Sequence, residues 1–142
     1  MWEIVYALGR IAVPVVFIVF GIIQFSNIAP YVASPAVLKF IAVTGNVLSP
    51  VVVAYTVACI DLIGGVLVLI GFKTRWAALV LLGFTALTIA FAHPFWDMEG
   101  PARAANQVQA LKNLSIMGAL LMIAAHGAGR FSLDGRKSGY RA

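Results

Sequence analysis

Residues 50–72 read PVVVAYTVACIDLIGGVLVLIGF, and this stretch decides the fold. It is apolar for the length of a membrane span. About 20 apolar residues cross a hydrocarbon core of roughly 30 Å. One carboxylate, Asp61, stands near its middle. A charge at that depth costs on the order of 3 kcal/mol on insertion scales. Either something in the fold compensates for Asp61, or the acid is held neutral. Ala54, Ala58, Asp61 and Gly65 share one helical face, with Gly64 beside it. Small residues let a neighbouring backbone approach closely, so the acid is expected to point into the protein rather than towards lipid.

The composition agrees with a membrane protein. The chain has 142 residues, 62% hydrophobic and 11% charged. Soluble domains carry about 25% charged residues. The length has room for about four spans in a single unit, residues 1–142. The formal net charge of +5 sits in loops and the tail, flanking apolar runs. That placement reads as topology and lipid headgroup contact, and no nucleic-acid partner is expected. A lone cysteine, Cys59, forms no intrachain disulfide and reads as a small packing residue inside a span. No spacing resembles a zinc, haem or iron–sulfur motif, and no metal is expected.

Working outward, span one covers about residues 4–25. Arg10, Pro14, Phe17, Gly21 and Gln24 stack on one face and collect the polar residues of the span, so this face is read as turned inward. Val13, Val16, Val19 and Phe20 are assigned mainly to lipid. Pro14 removes a backbone hydrogen bond and bends the helix. The apolar run is read as a retained helix rather than a cleaved signal peptide, because Glu3 is acidic and Arg10 abuts the run. In the first loop, Ser34-Pro35 starts a helix and Gly45 can close it. That helix is too short to span and is expected to lie in the interface. Ser49-Pro50 starts span two, residues 50–72. Gly71 ends it, before a tight turn at residues 73–75. Span three covers residues 76–93, with Gly83, Ala86, Ala90 and His93 as its small-residue face and Pro94 as its stop. Phe95 and Trp96 form an aromatic interface belt. Span four covers about residues 107–127, within a helix able to start near Ala102. Lys112, Ser115, Ala119, Met122 and His126 share a stripe of it. The expected fold is thus all-α, a four-helix transmembrane bundle with a short interfacial helix between spans one and two.

Four spans put both termini on one side. Arg10, Lys73, Arg75, Arg130, Arg136, Lys137 and Arg141 lie on that side, against Lys39, Arg103 and Lys112 on the other. The positive-inside rule places both termini in the cytoplasm.

Four pieces of the chain resemble the DoxX family of small bacterial inner-membrane proteins. They are GRIAVPVVFIVFGIIQF (residues 9–25), DLIGGVLVLIGFKTRWAAL (61–79), KNLSIMGALL (112–121) and GRFSLDGR (129–136). The resemblance implies a multi-pass protein of the bacterial inner membrane. It also implies links to respiratory, thiosulfate or quinone redox chemistry and to oxidative-stress responses, with redox-enzyme subunits as partners. The sequence departs from the family at two places. The span-two acid is usually glutamate and is here Asp61, and the position of Gln24 is often lysine.

Two groupings of residues follow as candidates. Helix rise puts Arg10 and Lys112 each within about 10 Å of the depth of Asp61. The first expectation is therefore a buried polar network of Asp61, Arg10 and Lys112, with Arg10 as the first-choice partner. It is read either as an architectural ion pair or as the wall of a small polar pocket. The second expectation groups Gln24, His93, Trp96 and Asn113 near one interface, where a quinone headgroup finds hydrogen-bond donors and a flat aromatic wall. Interfacial anchoring is the plainer reading of that group. No nucleophile–base pair, phosphate loop or carboxylate pair is present, and no catalytic residue is assigned. The functional expectation is an accessory membrane subunit supporting redox chemistry or the oxidative-stress response and contacting quinone. The alternatives are a stand-alone quinone-dependent oxidoreductase and a protein that binds or transports a lipid or small apolar molecule. Assembly with further copies of the chain is compatible with either.

Overall fold

The structure, a computed structural model, describes residues 1–137. Arg141, counted above on the basic side, lies outside the described residues. Among the described residues the chain is helical and contains no strand.

Span one is made of two helices, α1 (Trp2–Ala12) and α2 (Val15–Ser26), broken at Pro14 as the sequence requires. A single turn, α3 (Ala29–Val32), follows, and then α4 (Pro35–Val43). The Ser34 side chain accepts from the Val37 N–H at 3.3 Å, Pro35 occupies the first turn, and Gly45 leaves the helix with φ +78°. Span two is α5 (Pro50–Ile70). It ends in a Schellman motif, with Phe72 N–H donating to Leu67 O, Gly71 N–H to Val68 O, and Gly71 at φ +71°. Span three is α6 (Thr74–Ala92), followed by a 3-10 turn at Phe95–Asp97. Span four lies in α7 (Gly100–His126), unbroken, and a short α8 (Leu133–Lys137) belongs to the tail. At 27 residues α7 rises about 40 Å, longer than a hydrocarbon core of roughly 30 Å, so its polar first turns extend beyond it. Among the described residues, four helical segments are long and apolar enough to cross a membrane.

The spans follow one another in space. α2 packs along α5, α5 against α6, and α6 along α7. One core cluster ties them together: Phe17 of α2, Val68 of α5, Ala77, Ala78 and Leu81 of α6, and Leu120 and Ile123 of α7. On the side away from the termini, α4 lies against α5 and α6. There Val37 and Ile41 pack on Val53, Phe40 meets Phe91 edge-on, and Lys39 pairs with Asp97 at 3.6 Å.

The inward stripe of span one is as expected: Arg10, Pro14, Phe17, Gly21 and Gln24 are all buried. Val19 and Phe20 are exposed, whereas Val13 and Val16 are half-buried against the core cluster instead of facing lipid. Two further faces differ from expectation. In α6 the buried residues are Thr74, Ala77, Ala78, Leu81 and Thr85, while Gly83 and Ala86 are exposed. The reason is steric. A Cβ added at Gly64 would lie 2.8 Å from Leu81, so the notch in α5 is filled by a large residue and the small face of α6 turns outward. In α7 the buried residues are Ala110, Leu120 and Ile123. The stripe carrying Lys112, Ser115 and Met122 is exposed.

Candidate functional site

The antiparallel contact of α2 with α5 fixes what surrounds Asp61. A Cβ added at Gly21 would sit 2.8 Å from the backbone nitrogen of Leu62, and one at Gly65 would sit 2.7 Å from Ile18. These two glycines let the helices touch and set their register. One turn beyond Gly21, Gln24 arrives beside Asp61. Its Nε2 donates to Asp61 Oδ2 at 2.9 Å. Both side chains are enclosed, Gln24 at 5% exposure and Asp61 at 4%. The Oε1 atom of Gln24 is buried with no hydrogen-bond partner among the described residues. Thr85 lies one turn along α6 from Leu81, the residue covering Gly64, and is also buried; its hydroxyl donates to Leu81 O at 2.7 Å. Polar groups at this depth therefore come from three helices.

The register removes Arg10 from Asp61. Fourteen residues separate Arg10 from Gln24, a rise of about 21 Å. Arg10 consequently reaches the C-terminal end of α5, not its middle. Its Nη1 donates to Val68 O at 2.6 Å and Leu69 O at 2.7 Å, and its Nη2 to Phe131 O at 2.7 Å. Carbonyls in the last turn of a helix lack intrahelical donors and carry its negative dipole end, so a buried guanidinium is well placed there. Arg10 is 2% exposed, and its Nε has no partner among the described residues. The expected Asp61–Arg10 contact is replaced by Asp61–Gln24 and by an arginine clamp joining span one, the end of span two and the tail. Lys112 is likewise not in the network. It stands on the exposed side of α7.

The tail is pinned around that clamp. Asp134 Oδ1 accepts from Lys73 N–H at 3.0 Å, and its Oδ2 accepts from Thr74 N–H at 3.0 Å and the Thr74 hydroxyl at 3.1 Å. It therefore caps the N-terminus of α6 from a distance of 60 residues in sequence. Asp134 N–H donates to Gly71 O at 2.8 Å. Tyr6 donates its hydroxyl to Gly127 O and packs on the ring of His126, with centroids 4.3 Å apart.

The second expected grouping is dispersed. Gln24 is committed to Asp61. Asn113 is half-buried, and Trp96 is exposed with its ring edge-on to Phe95. Of that group, His93 lines a cavity. It is a groove of about 500 Å³ between the end of α6 and the first turns of α7, formed with Asn106, Gln109 and Lys112 as its polar members. Asn106 Nδ2 donates to Ala102 O at 3.0 Å, which turns its Oδ1 towards His93 Nδ1, also 3.0 Å away. His93 Nδ1 is thus the donor, and Nε2 is the ring nitrogen left for other chemistry. Among the described residues no group of three or more His, Cys, Asp or Glu side chains is placed to hold a metal ion.

Sequence alone groups Gln24 with His93 at one interface and does not single out Asn106 or Asp134. The signal for Gln24 was present: it lies on the inward stripe at a one-turn interval from Gly21. Asn106, in a polar helical stretch before span four, carried no distinguishing pattern.

Comparison with known proteins agrees with this architecture. The DoxX family profile matches residues 5–94. The inner membrane protein YphA of Escherichia coli is 33% identical over 132 residues, covering 91% of this chain and 87% of that protein. The inner membrane protein YqjF of the same organism is 32% identical over 126 residues, covering 89% and 86%. A Surfeit locus protein 4 homolog of Drosophila melanogaster is 33% identical over 82 residues, covering 54% of this chain and 30% of that longer protein. No solved structure gives a significant match. With four spanning helices and two relatives aligned along most of their length, the chain belongs to the DoxX family and is an integral inner-membrane protein.

Proposed function

We propose that this protein is an accessory subunit supporting quinone-linked redox chemistry of the inner membrane, and that it meets the quinone headgroup in the groove beside His93. The observation that carries this reading is the orientation of the His93 ring. With Nδ1 donating to Asn106, a neutral ring offers Nε2 as an acceptor, suited to the hydroxyl of a quinol. Lys112 and Gln109, which line the same groove, supply donors suited to a quinone carbonyl. The groove is open and shallow, with Gln109 and Lys112 exposed at its rim, so it offers a headgroup a polar edge and does not enclose it. The residues serve to bind and orient the ring. The electron-transfer chemistry then belongs to a partner enzyme of the same membrane. In this reading the termini are cytoplasmic, because Arg10, Lys73, Arg75, Arg130 and Arg136 lie on their side, and Lys39, Arg103 and Lys112 on the other.

Quinones quench tryptophan fluorescence, and Trp96 is the only tryptophan on the groove side of the bundle. In a Trp2→Phe/Trp76→Phe background in nanodiscs, a short-chain ubiquinone should quench Trp96 saturably. His93→Leu should remove the saturable component. Quenching that rises linearly and equally in both proteins would contradict the reading.

A further inference from the structure

On the opposite side of the molecule, where the termini lie, a second groove of about 330 Å³ runs between the end of α5 and the folded-back tail. It is lined by Ile70, Arg130, Phe131, Ser132, Leu133 and Arg136. Its position is interfacial, since Ile70 is the last residue of α5, in span two. Its composition divides in two. Arg130 and Arg136 are exposed and have no ion-pair partner among the described residues. Ile70, Phe131 and Leu133 give an apolar border, with all three partly or largely exposed.

The groove stands on a fixed floor. Arg10 holds Phe131 O at 2.7 Å, and Asp134 N–H holds Gly71 O at 2.8 Å. Ser132 Oγ accepts from Gly135 N–H at 2.9 Å and donates to Gly129 O. The two arginines are thus carried on a tail segment tied to spans one and two. The acids nearby are already engaged. Glu3 accepts from the Arg130 backbone N–H at 3.5 Å, and Asp134 caps α6. Lys73 and Arg75 add further positive charge on the same side. Here a positive concavity meets an apolar border at the membrane surface. Its chemical complement is a ligand with an anionic head and an apolar body.

We propose that this groove binds the phosphate of an anionic phospholipid in the leaflet on the terminal side. Arg130 and Arg136 engage the phosphate oxygens, and Ile70 and Leu133 border the glycerol and the first acyl carbons. Guanidinium groups suit this because they hydrogen-bond phosphate oxygens in pairs. The inference is independent of the quinone reading, which concerns the other side of the membrane.

The test is native mass spectrometry of the full chain in detergent, titrated with phosphatidylglycerol or phosphatidylcholine. Parent protein should retain phosphatidylglycerol in preference to phosphatidylcholine. Each arginine contributes about 1 kcal/mol of attraction to an anionic lipid, so Arg130→Gln and Arg136→Gln should each weaken phosphatidylglycerol retention about fivefold and phosphatidylcholine retention less, which narrows the preference. Arg130→Lys/Arg136→Lys keeps the charge and should retain most of the preference, which separates lost binding from lost folding. Arg103→Gln, equal in charge and on the other side, should have no effect. The proposal is overturned if the glutamine variants keep the parent's preference. It is also overturned if millimolar inorganic phosphate displaces phosphatidylglycerol from the parent, since the site would then serve a soluble anion.

Discussion

Gln24 Nε2 donates to Asp61 Oδ2 at 2.9 Å, and this bond joins spans one and two within the apolar interior of the bundle. It shows how a carboxyl group is accommodated halfway along a membrane helix. The acid is removed from lipid by the inward face of α5 and is met by an amide from α2. Among the described residues no basic side chain forms a hydrogen bond or ion pair with it. Asp61→Ala should therefore destabilise the protein in a specific way. It leaves both polar ends of a buried amide unpaired, because Gln24 Oε1 already has no partner among the described residues. An unsatisfied buried polar group costs about 1–3 kcal/mol. Asp61→Asn keeps an acceptor for Nε2 and adds a donor for Oε1, and should cost under about 1 kcal/mol. Thermal denaturation in a mild detergent measures both. The ranking Ala well below Asn is the expected result, and equal melting temperatures for the two variants would count against it.

The glycines that set the register make a second prediction. The Cβ of Gly21→Ala would press on the backbone of Leu62, which cannot rotate away. Gly65→Ala would press on the Ile18 side chain at Cγ1, 2.7 Å away, with the Ile18 backbone nitrogen at 3.2 Å and Phe17 Cβ at 3.3 Å, so its nearest clash is with a side chain and not with backbone. Overpacking costs about 1–3 kcal/mol, and Gly21→Ala should fall at the upper end, with Gly65→Ala below it. Gly83→Ala meets nothing within 4 Å and should be neutral or stabilising by up to about 1 kcal/mol through helix propensity. Melting curves of the three variants side by side check the ordering. If Gly21→Ala and Gly83→Ala behaved alike, the close approach of α2 to α5 would be refuted.

The arginine clamp gives a third. Arg10→Ala removes three hydrogen bonds and leaves the carbonyls of Val68, Leu69 and Phe131 without that donor. At about 1 kcal/mol per bond the loss is on the order of 3 kcal/mol. Arg10→Lys keeps the charge but offers a single ammonium where two guanidinium nitrogens act, and should lie between parent and alanine. Loss of the clamp should be felt first in the tail. Amide hydrogen exchange at residues 131–135 should accelerate in Arg10→Ala more than exchange in the middle of α5. Uniform acceleration along the chain would show that Arg10 supports the bundle as a whole and not the tail junction.

Much of this organisation is legible in the sequence, and the parts that are not have a common cause. The inward turn of Asp61 follows from Ala54, Ala58 and Gly65 on its face. The break at Pro14 and the helix from Ser34-Pro35 follow from local backbone chemistry that needs no knowledge of neighbours. The partner of Asp61 does not follow. Helix rise alone puts Arg10 and Lys112 within reach of the same depth, and only the contacts Gly21–Leu62 and Gly65–Ile18 fix which residue of α2 stands beside it. The outward face of α6 is hidden from the sequence for a similar reason. Gly83, Ala86 and Ala90 look like a packing face until Leu81 is seen to fill the notch at Gly64. The tail is anchored by the Asp134 side chain and by Arg10, and the carbonyls that Arg10 binds, at positions 68, 69 and 131, have no signature in residue type.

The register of α2 on α5, with Gln24 as the group that satisfies Asp61, is tested most directly by a double-mutant cycle. Gln24→Leu leaves the acid unpaired, Asp61→Leu leaves the amide unpaired, and the double variant removes both. Unfolding free energies in bilayers or mild detergent should give a coupling of about 1–2 kcal/mol, with the double variant costing clearly less than the two single changes together. Costs that add to within about 0.3–0.5 kcal/mol would mean that the two side chains do not interact, and would contradict the account.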